Sequence, residues 1–187
     1  MTTASVSAAL PAPRPESFVR RLLKQHPNKI ALAIALMAYA IVSHMMLAGE
    51  GPVRLRFDPA PLLQSPLVLQ LHVGAALTSF AIGCYLFAGV KGRTAHRTLG
   101  YLWVAAMAVT AISSFFLKTI NPGGFSLIHA LSAWTMVMLP MGVAAARRRD
   151  IASHRKHMTG MFVGGMAIAG LFTFLPGRLM WHLFFAV

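Results

Sequence analysis

Five long stretches of the chain carry no Asp, Glu, Lys or Arg: residues 30–49, 59–90, 98–117, 119–146 and 157–177. Each is about as long as the ~20 residues that cross a bilayer as an α-helix. The polar and helix-breaking residues fall between them. Glu50, Gly51, Pro52, Asp58, Pro59, Pro61 and Pro66 mark residues 50–66 as a loop, so a first helix over about 30–49 is followed by a second over about 67–90. The turn Lys91-Gly-Arg-Thr-Ala leads into a third helix at about 96–118, and Asn121-Pro-Gly-Gly into a fourth at about 125–147. A fifth follows Arg147-Arg-Arg-Asp and reaches Pro176-Gly177. The first apolar run is longer than the 7–15 residues of a signal peptide core and follows a long basic region, so it reads as a retained helix.

The ends behave differently. Residues 1–17 are rich in Ala, Ser, Thr and Pro and have too little apolar surface to offset their ordering entropy, and Phe18–Lys29 is basic and suited to a membrane surface. This divides the chain into a disordered, basic arm over 1–29, a five-helix membrane domain over 30–178, and a tail over 179–187. The tail is too short to span, and with Trp181 it is expected to rest at the interface. The fold class is all-α: a polytopic membrane protein whose helices two to five form a four-helix bundle of two repeated helix pairs.

Composition agrees. Hydrophobic residues make up 57% of the chain and charged residues only 11%, against about 25% charged in a soluble domain. A water-soluble globule is excluded. Seventeen Lys and Arg against four Asp and Glu give a net charge of +13, which in a soluble protein would suggest nucleic acid. Here topology accounts for it: with the N-terminus in the cytoplasm, thirteen of the seventeen basic residues fall inside, and only Arg54, Arg56, Lys118 and Arg178 fall outside. Nucleic acid is not an expected partner; membrane lipid is. The single Cys84 lies in an apolar stretch, so no disulfide or cysteine metal cluster is available and any bound metal must use histidine.

Histidine carries the candidate chemistry. No Asp or Glu lies in an expected helix, and ionisable side chains inside a membrane mark function by default. His72 is followed after 24 residues by His96-Arg97, and His129 after 25 residues by His154-Arg155. In both units the first histidine stands 18 residues before the basic inner loop, about 27 Å along a helix. His72 and His129 therefore lie at the outer ends of alternate helices, His96 and His154 at the inner ends. Each pair can offer two imidazoles to the two axial positions of a haem iron, which makes two b-type haems the expected cofactors. Small residues at Ala75, Ala76, Ser79, Gly83, Gly100, Gly160 and Gly164 leave room for a flat macrocycle, and serve equally for ordinary helix packing. His157, one turn after His154, is the alternative ligand. Arg54, Arg56, Lys118 and Arg178 outside, and Arg93, Arg97, Arg155 and Lys156 inside, are the candidate propionate partners. His44 suits a hydrogen bond to a cofactor or quinone, or a structural role; His26 and His182 are assigned none.

The elements His72, His96-Arg-Thr-Leu-Gly100, Phe125-Ser-Leu-Ile-His129 and Asp150-Ile-Ala-Ser-His154-Arg-Lys-His-Met158 resemble a bacterial family of predicted membrane proteins catalogued as domain of unknown function 2306, over about residues 30–178. In architecture the chain is also similar to the cytochrome b561 group, whose histidines on helices two and four, and on three and five, hold two haems across the membrane. The spacing between histidines is shorter here, and no ascorbate-site signature is present. The resemblance implies a multi-pass protein of the bacterial inner membrane. The expected function is transfer of electrons across or within the membrane through bis-histidine haems. The alternative is a non-redox accessory or assembly factor, handling haem or copper for a respiratory complex. With no Walker or GxGxxG motif, any redox activity must borrow electrons from a partner such as quinol; a homodimer is a further option. A solute transporter would need membrane carboxylates and broken helices that the sequence lacks.

Overall fold

A computed structural model describes residues 27–117 and 126–186. The expected arm before residue 27, and the turn at Asn121-Pro-Gly-Gly, lie outside the described residues. In chain order the elements are α1 (Pro27–Leu47), β1 (Arg54–Leu55), α2 (Ala60–Leu63), α3 (Leu67–Ala88), α4 (Thr94–Ser114), α5 (Leu127–Arg147) and α6 (Ile151–Gly160). A π-helical segment (Met161–Ile168) follows, then α7 (Ala169–Thr173), α8 (Leu179–Phe184) and β2 (Phe185–Ala186).

The chain is mostly helical, and three of its helices are apolar and long enough to cross a membrane: α1, α3 and Ile128–Arg147 of α5. Their large side chains face outward in numbers that water would not tolerate. Ile34, Met37 and Met45 on α1 are 57%, 61% and 71% exposed, and only Ala35 on that helix is buried. α4 has the length of a span but begins with His96 and Arg97. The fifth expected helix is a rod from 151 to 173 that changes from α to π and back, with His154, Arg155, Lys156 and His157 in its first two turns.

α3 packs along α4, α4 along α5, and α5 along α6, and the π segment closes the group by touching α1, α3 and α5. The core holds Trp103 and Met107 of α4, Leu139 of α5, and Met161 and Met166 of the π segment. Two glycines permit its closest approaches. A Cβ on Gly83 would overlap the ring of Phe162 and lie 3.0 Å from Trp103 Nε1, and a Cβ on Gly142 would lie 2.5 Å from Met158 Cε.

The turns are built by local chemistry. Lys91 Nζ donates to Phe87 O at 2.6 Å and Gly89 O at 2.7 Å, closing the carbonyl end of α3, and Gly92 turns the chain at φ +82°. α5 ends with Arg149 N–H on Ala146 O and Asp150 N–H on Ala145 O, with Arg149 in the left-handed region at φ 61°. Asp150 then caps α6 by accepting from Ser153 N–H at 3.0 Å. This compact corner folds α6 back against α5. The end carrying Lys91, Arg93, Arg97 and Arg147–Arg149 is called the basic end below.

At the opposite end the tail over 179–187, read from the sequence as resting at the interface, meets the loop over 50–66: β2 pairs antiparallel with β1, Arg54 opposite Ala186 and Leu55 opposite Phe185. The ladder continues with Arg56 N–H to Phe184 O and Asp58 N–H to Leu183 O. Met180 and Leu183 pack with Val73, Leu62 and Phe174, and Trp181 is 6% exposed against Phe185. The physical reason is that a short apolar tail gains more by joining a sheet edge and a core than by lying exposed. Likewise α1 begins at Pro27, inside the stretch assigned to the arm.

Candidate histidine site at the basic end

The fold brings one pair of the expected histidines together. His96, in the first turn of α4, and His154, at the start of α6, have ring centroids 6.5 Å apart and planes 84° to one another. The corner at Arg149-Asp150 puts them there, because it returns α6 along α5 so that His154 Nδ1 lies 2.9 Å from Gly142 O. A carbonyl oxygen only accepts, so Nδ1 carries the proton and Nε2 keeps its lone pair. This is how metal-ligating histidines are held: the remote nitrogen donates to a carbonyl and fixes the ring. His157 has the same form, Nδ1 donating to Ser153 O at 2.7 Å, and its Cβ would lie 3.2 Å from a Cβ on Gly142.

The opposite end is built differently. His72 Nδ1 is 2.9 Å from Ser113 Oγ, and that hydroxyl is 2.7 Å from Val109 O. The serine proton goes to the carbonyl, so His72 Nδ1 donates to the serine oxygen. His129, 4% exposed, reverses the pattern. Its Nδ1 accepts from the backbone N–H of Ser126 at 3.0 Å, which places the proton of the neutral ring on Nε2. Ser114 and Ser132 hydroxyls are hydrogen-bonded to each other, and the ring of Phe115 lies 6.1 Å from His129. Ser113 and Ser114 at the end of α4 and the cap residue Phe115 thus tie His72 on α3 to Ser132 and His129 on α5.

Other expected site residues remain apart. Arg97 and Arg178 are exposed, as are His44, His182 and Cys84. Lys118 and His26 lie outside the described residues. Arg56 pairs with Asp58 at 2.8 Å. Among the described residues no group of three or more His, Cys, Asp or Glu side chains is placed to hold a metal, so a site here has two protein imidazoles.

Space near the histidines is uneven. The expected room at Gly83 is filled by Phe162, wedged between Phe80 and Phe87 at 5.9 and 5.7 Å. At Gly100, one turn from His96 on the same face of α4, a Cβ would meet nothing within 4 Å, and Gly160 and Gly164 are equally open. A cavity of about 200 Å³ lies against His96, lined by Tyr85, Leu86, Gly89, Val90, Arg93 and Ala95. Sequence spacing pointed to none of Ser113, Ser126, Gly142 or Phe162, which set the orientation of these rings or the room around them. A glycine opposite a histidine-bearing turn is the only one of these signals that a sequence displays.

Residues 69–185 match a family model described as predicted membrane protein DUF2306. The chain belongs to that family. The DUF2306 match begins inside α3 and ends within β2, so it covers all four candidate histidines and most of the C-terminal tail and leaves α1 outside. It is thus shifted from the 30–178 expected from the sequence elements. A search of curated proteins found no match, and a search of solved structures found none. The likeness to the cytochrome b561 group has no counterpart among these findings.

Proposed function

We propose that this DUF2306 protein is a membrane redox protein that holds b-type haem iron between His96 and His154. One observation carries the reading: the two rings stand 6.5 Å apart with His154 Nδ1 tied to Gly142 O. A metal–imidazole bond is about 2 Å and the ring centre lies about 1 Å behind the nitrogen, so two imidazoles on opposite sides of one ion have centroids about 6 Å apart. Open space at Gly100 adjoins the pair, and Arg93 supplies a cation beside it. When bound, the group would supply one-electron chemistry. The chain's own residues orient the His154 ring and keep its Nε2 unprotonated through the bond to Gly142 O. A second haem between His72 and His129 requires His129 to leave its Ser126 cap and move its proton.

The topology that serves this function has five spans, α1, α3, α4, α5 and the 151–173 rod, with the N-terminus and the basic end in the cytoplasm of a bacterium. It is supported by the distribution of the seventeen basic residues. Quinol is the proposed electron donor.

A second reading, a copper- or haem-handling accessory factor, is favoured by the size of the cavity. About 200 Å³ lies against His96, below the about 300–1,000 Å³ of common cofactor sites, and a bare Cu(I) ion needs only imidazole and thioether ligands of the kind His154 and nearby Met158 offer. The test is an optical spectrum of the purified full chain, oxidised and then dithionite-reduced, followed by Cu(I) titration of haem-free protein. Reduced b-type bands that disappear in His154→Ala and persist in His157→Ala support the haem reading. Haem-free protein that takes up Cu(I) through the same histidine overturns it in favour of the accessory reading.

A further inference from the structure

Between α4 and α5 at the basic end runs a groove of about 380 Å³, lined by Val104, Leu139, Pro140, Val143, Ala144 and Arg147. Its walls are apolar except at the mouth. Arg147 stands one turn beyond Val143 on α5, and Arg97 stands two turns before Val104 on the same stripe of α4, so an arginine closes each wall at the same end. The salt bridge among the described residues joins Arg56 to Asp58 at the opposite end of the molecule, so no carboxylate there neutralises either arginine. Both are exposed.

We propose that this groove binds one anionic phospholipid, with an acyl chain along Val104, Pro140, Val143 and Ala144 and the phosphate between Arg97 and Arg147. The charge decides the class of lipid. Two guanidiniums with no counter-ion among the described residues, beside Arg148 and Arg149 and with Asp150 engaged on Ser153 N–H, favour a headgroup of net negative charge over a zwitterion. The apolar walls decide the source. A free phosphate uses the mouth alone and leaves the groove unfilled, whereas a lipid uses both. Pro140 contributes an apolar ring and no N–H, which keeps the wall free of donors at mid-groove. The site requires neither His96 nor His154 and shares with the haem reading only Arg97, a candidate propionate partner, so Arg147→Gln and Ala144→Trp test it apart from that reading.

The test uses the full chain in detergent with dioleoyl phosphatidylglycerol, dioleoyl phosphatidylcholine or inorganic phosphate as probes, read by native mass spectrometry and by thermal unfolding. Phosphatidylglycerol is expected to stay bound at one per chain and to raise the unfolding temperature above that seen with phosphatidylcholine. Each basic residue near a membrane surface contributes about fivefold to anionic lipid binding, so Arg97→Gln or Arg147→Gln should weaken phosphatidylglycerol about fivefold and the double variant should abolish its preference over phosphatidylcholine. Ala144→Trp fills the groove and should remove bound lipid with both arginines intact. The arginine variants alter only exposed side chains, so they decide the matter if Ala144→Trp fails to fold. Equal binding of the two lipids, a preference that survives the double variant, or equal protection by inorganic phosphate would overturn the proposal.

Discussion

Gly83→Ala tests the packing that sets the width of the bundle. The added methyl would overlap the Phe162 ring, with Cδ2 at 2.5 Å, and would sit 3.0 Å from Trp103 Nε1. Carbon atoms in contact lie about 3.5–4.0 Å apart, so the ring must retreat by about 1 Å. It has little freedom to do so, because Phe80 and Phe87 stack on its two sides. Overpacking of this kind costs about 1–3 kcal/mol, and the gain in helix propensity from Gly to Ala returns up to about 1 kcal/mol. The net expectation is a loss of about 1–2 kcal/mol. Reversible unfolding in mixed micelles, followed by circular dichroism, measures it, with Phe162→Leu and the double variant completing a cycle. Since the clash is with Phe162, the double variant should be more stable than the sum of the singles by about 1 kcal/mol. An additive cycle, or a Gly83→Ala chain as stable as the parent, would refute the close approach and reopen the space at Gly83 to a ligand.

Three further changes probe the ends. Arg149→Gly should stabilise the chain by about 1 kcal/mol, because Arg149 occupies the left-handed region at φ 61° that glycine adopts without strain; the same unfolding assay reads it, and a loss of stability would contradict the corner geometry. Trp181→Ala removes a side chain only 6% exposed and should cost about 3–5 kcal/mol, with faster amide exchange at Arg56 and Asp58 as the β1–β2 pairing loosens. The Ser153 hydrogen bonds, and then the nearby Arg148 and His157 charges, hold the Asp150 carboxyl below its usual range, so its contribution to α6 is present above that range and lost as pH falls through the lowered value. The protection of the Ser153 amide, its exchange rate divided into the intrinsic rate at the same pH, should therefore fall on acidification in the parent and show no such dependence in Asp150→Asn.

The helices were legible because apolar length and the Gly, Pro and charged punctuation between them are properties of the chain alone. Expected bounds of 67–90 and 125–147 lie close to Leu67–Ala88 and Leu127–Arg147. The second level of structure was not legible. Residues 185 and 186 pair with 55 and 54 across nearly the whole chain, and no local pattern announces a partner that distant. The π segment is no more visible: Met161–Ile168 has the composition of any apolar helix, and nothing local in it announces its contacts with α1, α3 and α5. Small residues at 75, 76, 79 and 83 marked a place where something large comes close. That it is Phe162, from the far end of the sequence, is a tertiary fact.

The two histidine-bearing ends also yield unlike sites, and between His129 and His154 the difference follows one residue of register from the helix cap. Ser126 caps α5, so His129 is the third residue of that helix, and a ring at the third position reaches back to the cap N–H; its Nδ1 becomes an acceptor. Asp150 caps α6, so the third residue there is Ser153, whose N–H is taken by the Asp150 carboxylate, and His154 falls at the fourth. A step of one residue turns a side chain by about 100° around the helix. That step carries the His154 ring away from its own cap and onto α5, where Gly142 offers a carbonyl in place of an N–H. The proton is then on Nδ1 and the lone pair on Nε2, the reverse of His129. Counted from the caps of α5 and α6, the histidine positions give His129 the work of closing a helix and free His154 to face His96.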